Sequence, residues 1–211
     1  MLFRSVEIED ILSAADAGKY TTAQFISEEG ESCTLTYDQL NQERYYFLRL
    51  LRNSTANAEL VPPIIALLVK EDSQNTREME ETAPMLILGQ STISEHTNSL
   101  FITGITCIKL SNKPVKKWGA ASTWPFPGEL QAGDTIKLQH EFFNQVKIFF
   151  TLDGSDPTPL SDMYNPGISL TELNKPLVFN GNVTIKTLVT GYGKENSDIA
   201  MYEFYLPVNG D

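Results

Sequence analysis

Histidine and cysteine are scarce in this sequence, which holds two of each among 211 residues: His96, His140, Cys33 and Cys107. No C-x-x-C spacing occurs, and so few soft ligands cannot build a structural zinc site. Long apolar runs are also missing. None approaches the roughly 18 to 20 residues that span a bilayer, so no membrane-spanning segment is expected. Positive charge is in short supply too, with 16 Lys and Arg against 27 Asp and Glu and a formal charge of -11. Both halves are acidic, 16 against 8 up to Asn112 and 11 against 8 after it. Such a chain repels phosphate backbones, and no Lys/Arg stripe with interleaved aromatics offsets this locally, which excludes nucleic acid as a partner. The opening ten residues carry one basic residue, Arg4, and no sustained apolar segment, so they are no secretion signal. The expectation is a cytoplasmic protein, or one whose natural N-terminus lies upstream.

Catalytic patterns are likewise thin. His96 stands in the polar run Glu95-His96-Thr97-Asn98 without a nucleophile motif, and His140 stands beside Glu141 at an expected strand end. Gly191-Tyr192-Gly193 reads as a turn, and no phosphate-cradling glycine loop occurs. Carboxylate pairs are abundant, but sequence does not place two of them in one cleft. Asn53-Ser54-Thr55 and Asn182-Val183-Thr184 fit a glycosylation pattern that arises often by chance.

What the chain does have is a hydrophobic fraction of 41% with mean hydropathy -0.19, enough for ordinary cores. Its length suits two domains of about 100 residues each. Residues 6–17 read as a short helix with Val6, Ile8, Ile11, Leu12 and Ala15 on one face and Gly18 as its stop. Residues 21–27 and 31–37 alternate and are joined through Gly30, which marks a hairpin. A helix entry follows at 36–40, where Leu40, Phe47, Leu48 and Leu51 have the spacing of an apolar helical stripe and Tyr45-Tyr46-Phe47 suits an extended segment equally. Pro62-Pro63 leads into the apolar run 64–69, expected as a strand buried on both faces. Residues 70–81 read as a solvated loop, and 85–88 and 100–110 as two more strands. Each cysteine sits in an alternating apolar run, which suggests two small buried thiols, with a disulfide between them as the alternative.

The first module is therefore taken as residues 1–112. Residues 113–127, with Pro114, Pro125 and Pro127 and both tryptophans, Trp118 and Trp124, read as an extended linker. From 128 to 211 turn signals recur at the short intervals of an all-β sandwich, with strands expected at 135–139, 145–152, 168–170, 177–179, 183–190 and 199–206. Within 146–152, Ile148, Phe150 and Leu152 alternate with Lys147, Phe149 and Thr151. Asp153-Gly154 then turns the chain, and Asp153 and Asp156 suit turn-making roles better than a calcium loop. The fold class expected is mainly β: an α+β N-terminal module followed by an immunoglobulin-like β-sandwich.

The run 146–158, Val-Lys-Ile-Phe-Phe-Thr-Leu-Asp-Gly-Ser-Asp-Pro-Thr, together with Met163-Tyr164-Asn165-Pro166, residues 182–188 and Ser197-Asp198-Ile199-Ala200, resembles the C-terminal domain of chitobiase and β-hexosaminidase. The resemblance covers 128–206. It implies an immunoglobulin-like or fibronectin-III-like sandwich that accompanies catalytic domains without supplying active-site residues. Residues 34–40, 44–47, 61–67, 83–90 and 101–110 resemble a divergent, N-terminally truncated sulfite-oxidase-type molybdopterin-binding domain of bacterial surface proteins. That likeness implies a molybdenum-ligating cysteine early in the domain, a position that neither Cys33 nor Cys107 matches, and Thr103 stands where the family's closing strand offers a lysine. Together the resemblances imply a non-catalytic binding or spacer region of a bacterial extracellular or cell-surface protein. Its partner is then a polysaccharide or another surface protein, and no cofactor or metal is expected. The alternative is a fragment of a molybdopterin-dependent oxidoreductase. The aromatics Tyr45, Tyr46, Trp118, Trp124 and Tyr164 are the candidate site residues, able either to stack sugar rings or to pack at a module junction.

Overall fold

A computed structural model describes residues 2–47, 58–70, 80–92, 95, 97, 100–164 and 176–207. The protein is mainly β. The chain divides into two compact units, Met1–Val115 and Lys116–Asp211.

In the first unit, strand β1 (Leu2–Glu7) runs directly into helix α1 (Ile8–Ala14), so the expected helix at 6–17 begins two residues late. Its first residues are claimed instead by tertiary pairing, with Val6 opposite Ile65 and Glu7 opposite Ile64. The hairpin forms as expected from β2 (Thr22–Ser27) and β3 (Ser32–Thr36), with Gly30 supplying a φ of 85° that other residues disfavour. Helix α2 (Tyr37–Asn41) starts on a capping box, in which Gln39 N donates to Thr36 Oγ1 and Thr36 N donates to Gln39 Oε1, both at 3.1 Å. It then stops. β4 (Tyr45–Tyr46) is extended and pairs with β5 (Glu59–Leu60). Leu48, Leu51 and Asn53 of the earlier readings lie outside the described residues.

β6 (Ile64–Lys70) is central in a sheet of order β1-β6-β7, where β7 spans Glu80–Ile87. Ile65 and Ala66 are buried, but Leu67 is 42% exposed, so this strand is not covered on both faces as its unbroken apolar run suggested. Both of its partners are antiparallel, and an antiparallel sheet can leave a face to solvent. The closing strand β8 (Ile105–Ser111) is shorter than the expected 100–110 because Gly104, at φ 75°, breaks the extended path before it. It adds to the hairpin in the order β3-β2-β8.

Among its described residues the second unit is a sandwich of two sheets. One has the order β14-β11-β9, from β9 (Ser122–Trp124), β11 (Thr135–Gln139) and β14 (Leu177–Val178). The other has the order β10-β16-β15-β12-β13, from β10 (Gly128–Glu129), β12 (Val146–Thr151), β13 (Asp162–Met163), β15 (Val183–Gly191) and β16 (Ala200–Tyr205). These strands pair antiparallel except where β10 pairs with β16 in parallel. Ile136 and Leu138 from the first sheet meet Ile148, Phe150, Ile185, Val189 and Phe204 from the second in one core. In β12 the alternation is incomplete, since Phe149 is also buried, opposite Leu188, and Leu152, expected to continue it, lies just past the strand and is 50% exposed. The strand expected at 168–170 lies outside the described residues.

The expected linker is mostly part of this sandwich. β9 pairs with β11, and Trp118, Ala121 and Thr123 are buried, the first two within the core cluster. Proline density misled because Pro114, Pro125 and Pro127 flank β9 without entering it, leaving Ser122–Trp124 free to pair as an edge strand. Trp118 lies so close to the backbone that a Cβ on Gly191 would stand 2.8 Å from its ring. Among the described residues, no helix is long and apolar enough to cross a membrane.

Candidate functional site

The sequence Thr135-Ile136-Lys137-Leu138-Gln139 alternates strictly between exposed and buried positions. With Ile136 and Leu138 in the core, the side chains of Thr135, Lys137 and Gln139 stand on the solvent face. Register places Trp124 opposite Lys137, Ser122 opposite Gln139 and Val178 opposite Thr135, and directly paired residues share a face. Trp124 is 57% exposed there, fixed by the backbone pairing of its strand.

A cleft of about 620 Å³ opens at the Gln139 end of β11. Polar groups of Ser122, Lys137, Gln139, His140 and Glu141 line it together with Leu138, Phe143 and Tyr164. Tyr164 is buried, its ring set edge-on to Phe143 and Phe150. Burial pushes its hydroxyl above the usual phenol range, and a hydrogen bond from the Leu138 backbone pulls slightly the other way. His140 is oriented by its Nδ1, which accepts from Phe142 N at 3.0 Å. Its ring stands edge-on to Trp118 at 6.0 Å between centroids, and Lys194 Nζ lies 4.1 Å over the Trp118 ring.

The five aromatics singled out in the sequence divide between the two units. Tyr45 and Tyr46 belong to the first unit, where Tyr45 Oη donates to Glu43 Oε2 at 2.5 Å, raising the phenol's pKa, and Tyr46 is exposed. Trp118 and Tyr164 are core residues of the second unit, and only Trp124 of that unit's three presents its ring to solvent. Ser122, Lys137, Gln139 and Glu141 were missed as candidates. Their signal was the period-two alternation of 135–139, which shows which side chains point outward but not that β9 lies alongside. His96 lies outside the described residues.

The cysteines sit on the two strands flanking β2. Cys33 is opposite Phe25 and buried, whereas Cys107 is opposite Ile26 and exposed, which corrects the reading of two buried thiols. Successive residues of β2 face opposite sides, and two strand spacings separate the thiols by about 10 Å, too far for a disulfide. Both are free. Asp153 makes the expected turn, its Oδ1 accepting from Ser155 N at 3.0 Å and Ser155 Oγ at 2.6 Å, and these donors hold its carboxyl below the usual range. Asp156 pairs instead with Lys186 at 2.7 Å.

No curated protein matches the chain. The model of a family described as Fn3 associated matches residues 136–204, from β11 to β16. The second unit thus carries a fibronectin-III-associated, immunoglobulin-like domain.

Proposed function

We propose that this chain is a non-catalytic binding or spacer region of a bacterial extracellular or cell-surface protein, and that it associates with polysaccharide. The observation that carries the reading is the fibronectin-III-associated sandwich at 136–204. Its order supports a display role, because a sandwich fixes its outward side chains on paired strands, as β11 does for Lys137 and Gln139. The sequence likeness to the chitobiase C-terminal domain points the same way.

The residues present do not fit a molybdenum–pterin group. Cys33 is buried opposite Phe25, where burial pushes its thiol up to about 11, and among the described residues no group of three or more His, Cys, Asp or Glu side chains gathers to hold a metal. Cys107 lies on the other face of the same sheet. The buried cation Arg44 is already engaged: Nε and Nη2 donate to Gln39 O, and Nη1 to Gly89 O at 2.7 Å and to Glu95. It has no fork left for a phosphate.

Co-sedimentation of the whole chain with a panel of insoluble polysaccharides tests the reading. Retention on at least one, reversed by its soluble oligosaccharide, is expected. Absence of retention on every member, or molybdenum and pterin in native protein, would sink it.

A further inference from the structure

We infer that the solvent face of the β14-β11-β9 sheet is a saccharide site that seats a neutral pyranose ring on Trp124, an assignment that rests on the polysaccharide reading above. Trp124 exposes 57% of its surface although an indole gains strongly from burial, and it is held open by pairing, not by a mobile loop. Its neighbours on that face are Ser122, two residues back on β9, and Lys137, directly across on β11. Gln139 continues the row towards the cleft. Donors and acceptors therefore flank one flat apolar ring. A pyranose presents that same combination: an apolar face of C–H groups and a rim of hydroxyls.

Other occupants fit less well. A protein partner or second copy of the chain would want a broader apolar centre. Among the described residues of these three strands only Trp124 and Val178 are apolar on this face, beside Ser122, Thr135, Lys137 and Gln139, while the exposed Phe126 lies beyond the end of β9. An anionic glycan meets one lysine on this face, Glu141 in the cleft and a chain charge of -11. The cleft, at about 620 Å³, has the size of a small-ligand pocket and gives a second ring somewhere to go.

The test uses the full chain and soluble neutral and uronate-containing oligosaccharides, read by calorimetry and tryptophan emission. The chain has two tryptophans and Trp118 is buried, so a sugar stacking on Trp124 shifts the emission of the exposed one. Expected are binding of a neutral oligosaccharide with that shift, and affinity lowered roughly 3- to 10-fold by Trp124→Ala. Trp124→Phe should lose less, Gln139→Ala should weaken binding modestly, and Tyr46→Ala in the first unit should change nothing. Unchanged melting of Trp124→Ala separates lost contact from lost fold. If Trp124→Ala binds as tightly as the parent, the site is elsewhere and only this assignment falls. A preference for the uronate ligand overturns the neutral class. Binding of neither ligand, with no retention on the polysaccharide panel, overturns both this site and the function it rests on.

Discussion

Cys33 faces the covered side of the β3-β2-β8 sheet opposite Phe25, which is fully buried, and Cys107 faces the other side opposite Ile26. Register alone gives the two thiols different chemistry, since a thiolate is costly where its charge cannot be solvated. Desolvation raises the Cys33 pKa from 9.0 to about 11, with the Arg44 charge acting weakly in the opposite sense. The native state therefore holds this proton more tightly than the unfolded chain. The associated stability is complete below pH 9 and is lost as pH rises towards 11, a matter of roughly 2 to 3 kcal/mol. Urea midpoints at pH 8 and pH 11 should thus fall further for the parent than for Cys33→Ala, which has no thiol to ionise. Tyr164 and Tyr202, whose pKa values burial also raises, titrate in both proteins and cancel in the comparison. Equal falls in the two proteins would show that Cys33 is solvated. Labelling at pH 8 supplies a second reading, with Cys107 modified quickly and Cys33 only after unfolding.

Elements in the first unit are tied by Arg44, whose side chain is wholly buried. Its guanidinium accommodates a carbonyl of α2, the Gly89 carbonyl just beyond β7, and the Glu95 carboxylate, which also accepts from Ser91 N and Oγ. Arg44→Met keeps the stem but leaves those acceptors without their donors. A loss of about 3 to 5 kcal/mol is expected in urea unfolding followed by circular dichroism. Arg44→Lys should recover little, because an ammonium cannot span three directions at once. A loss below about 1 kcal/mol for Arg44→Met would mean that water replaces the guanidinium. Nothing in the sequence marked Arg44 as a buried knot, because burial of a charge depends on partners distant in the chain. Elements with their own period were legible: the β2–β3 hairpin, the alternation of β11, and β12, β15 and β16 all fall within a residue or two of expectation. Those set by partners were not. β1 took the start of an apparent helix because β6 was there to pair with it, and β9 hid inside a proline-rich stretch. The candidate site shares that history, since Trp124 was visible as a residue while its row of polar neighbours exists only through β9–β11 pairing.

At the scale of the whole molecule, the decisive question is where the second unit begins. Composition alone put its start at Gly128, after the prolines; the contacts put it at Lys116. The twelve residues between carry Trp118 and Ala121 of the core cluster, the buried Thr123, and the whole of β9. Tyr202 of β16 also donates its hydroxyl to the Ala121 carbonyl, so this segment is held to the five-stranded sheet as well as to β11. Removing it strips a tryptophan from the core and leaves the Lys137–Gln139 edge of β11 unpaired. Loss of a buried tryptophan alone costs about 3 to 5 kcal/mol against a typical total of about 5 to 15 kcal/mol. A fragment of residues 116–211 should therefore melt in one cooperative step and show dispersed amide resonances. A fragment of residues 128–211 should be unfolded or aggregate. The same pair of fragments separates scaffold from site: 116–211 keeps both Trp124 and the β11 row and should retain the neutral oligosaccharide, whatever the first unit contributes elsewhere. If 128–211 folds as stably as 116–211, then Trp118 and β9 are an appendage to the sandwich, and the platform assigned to Trp124 loses the rigid support on which its binding depends.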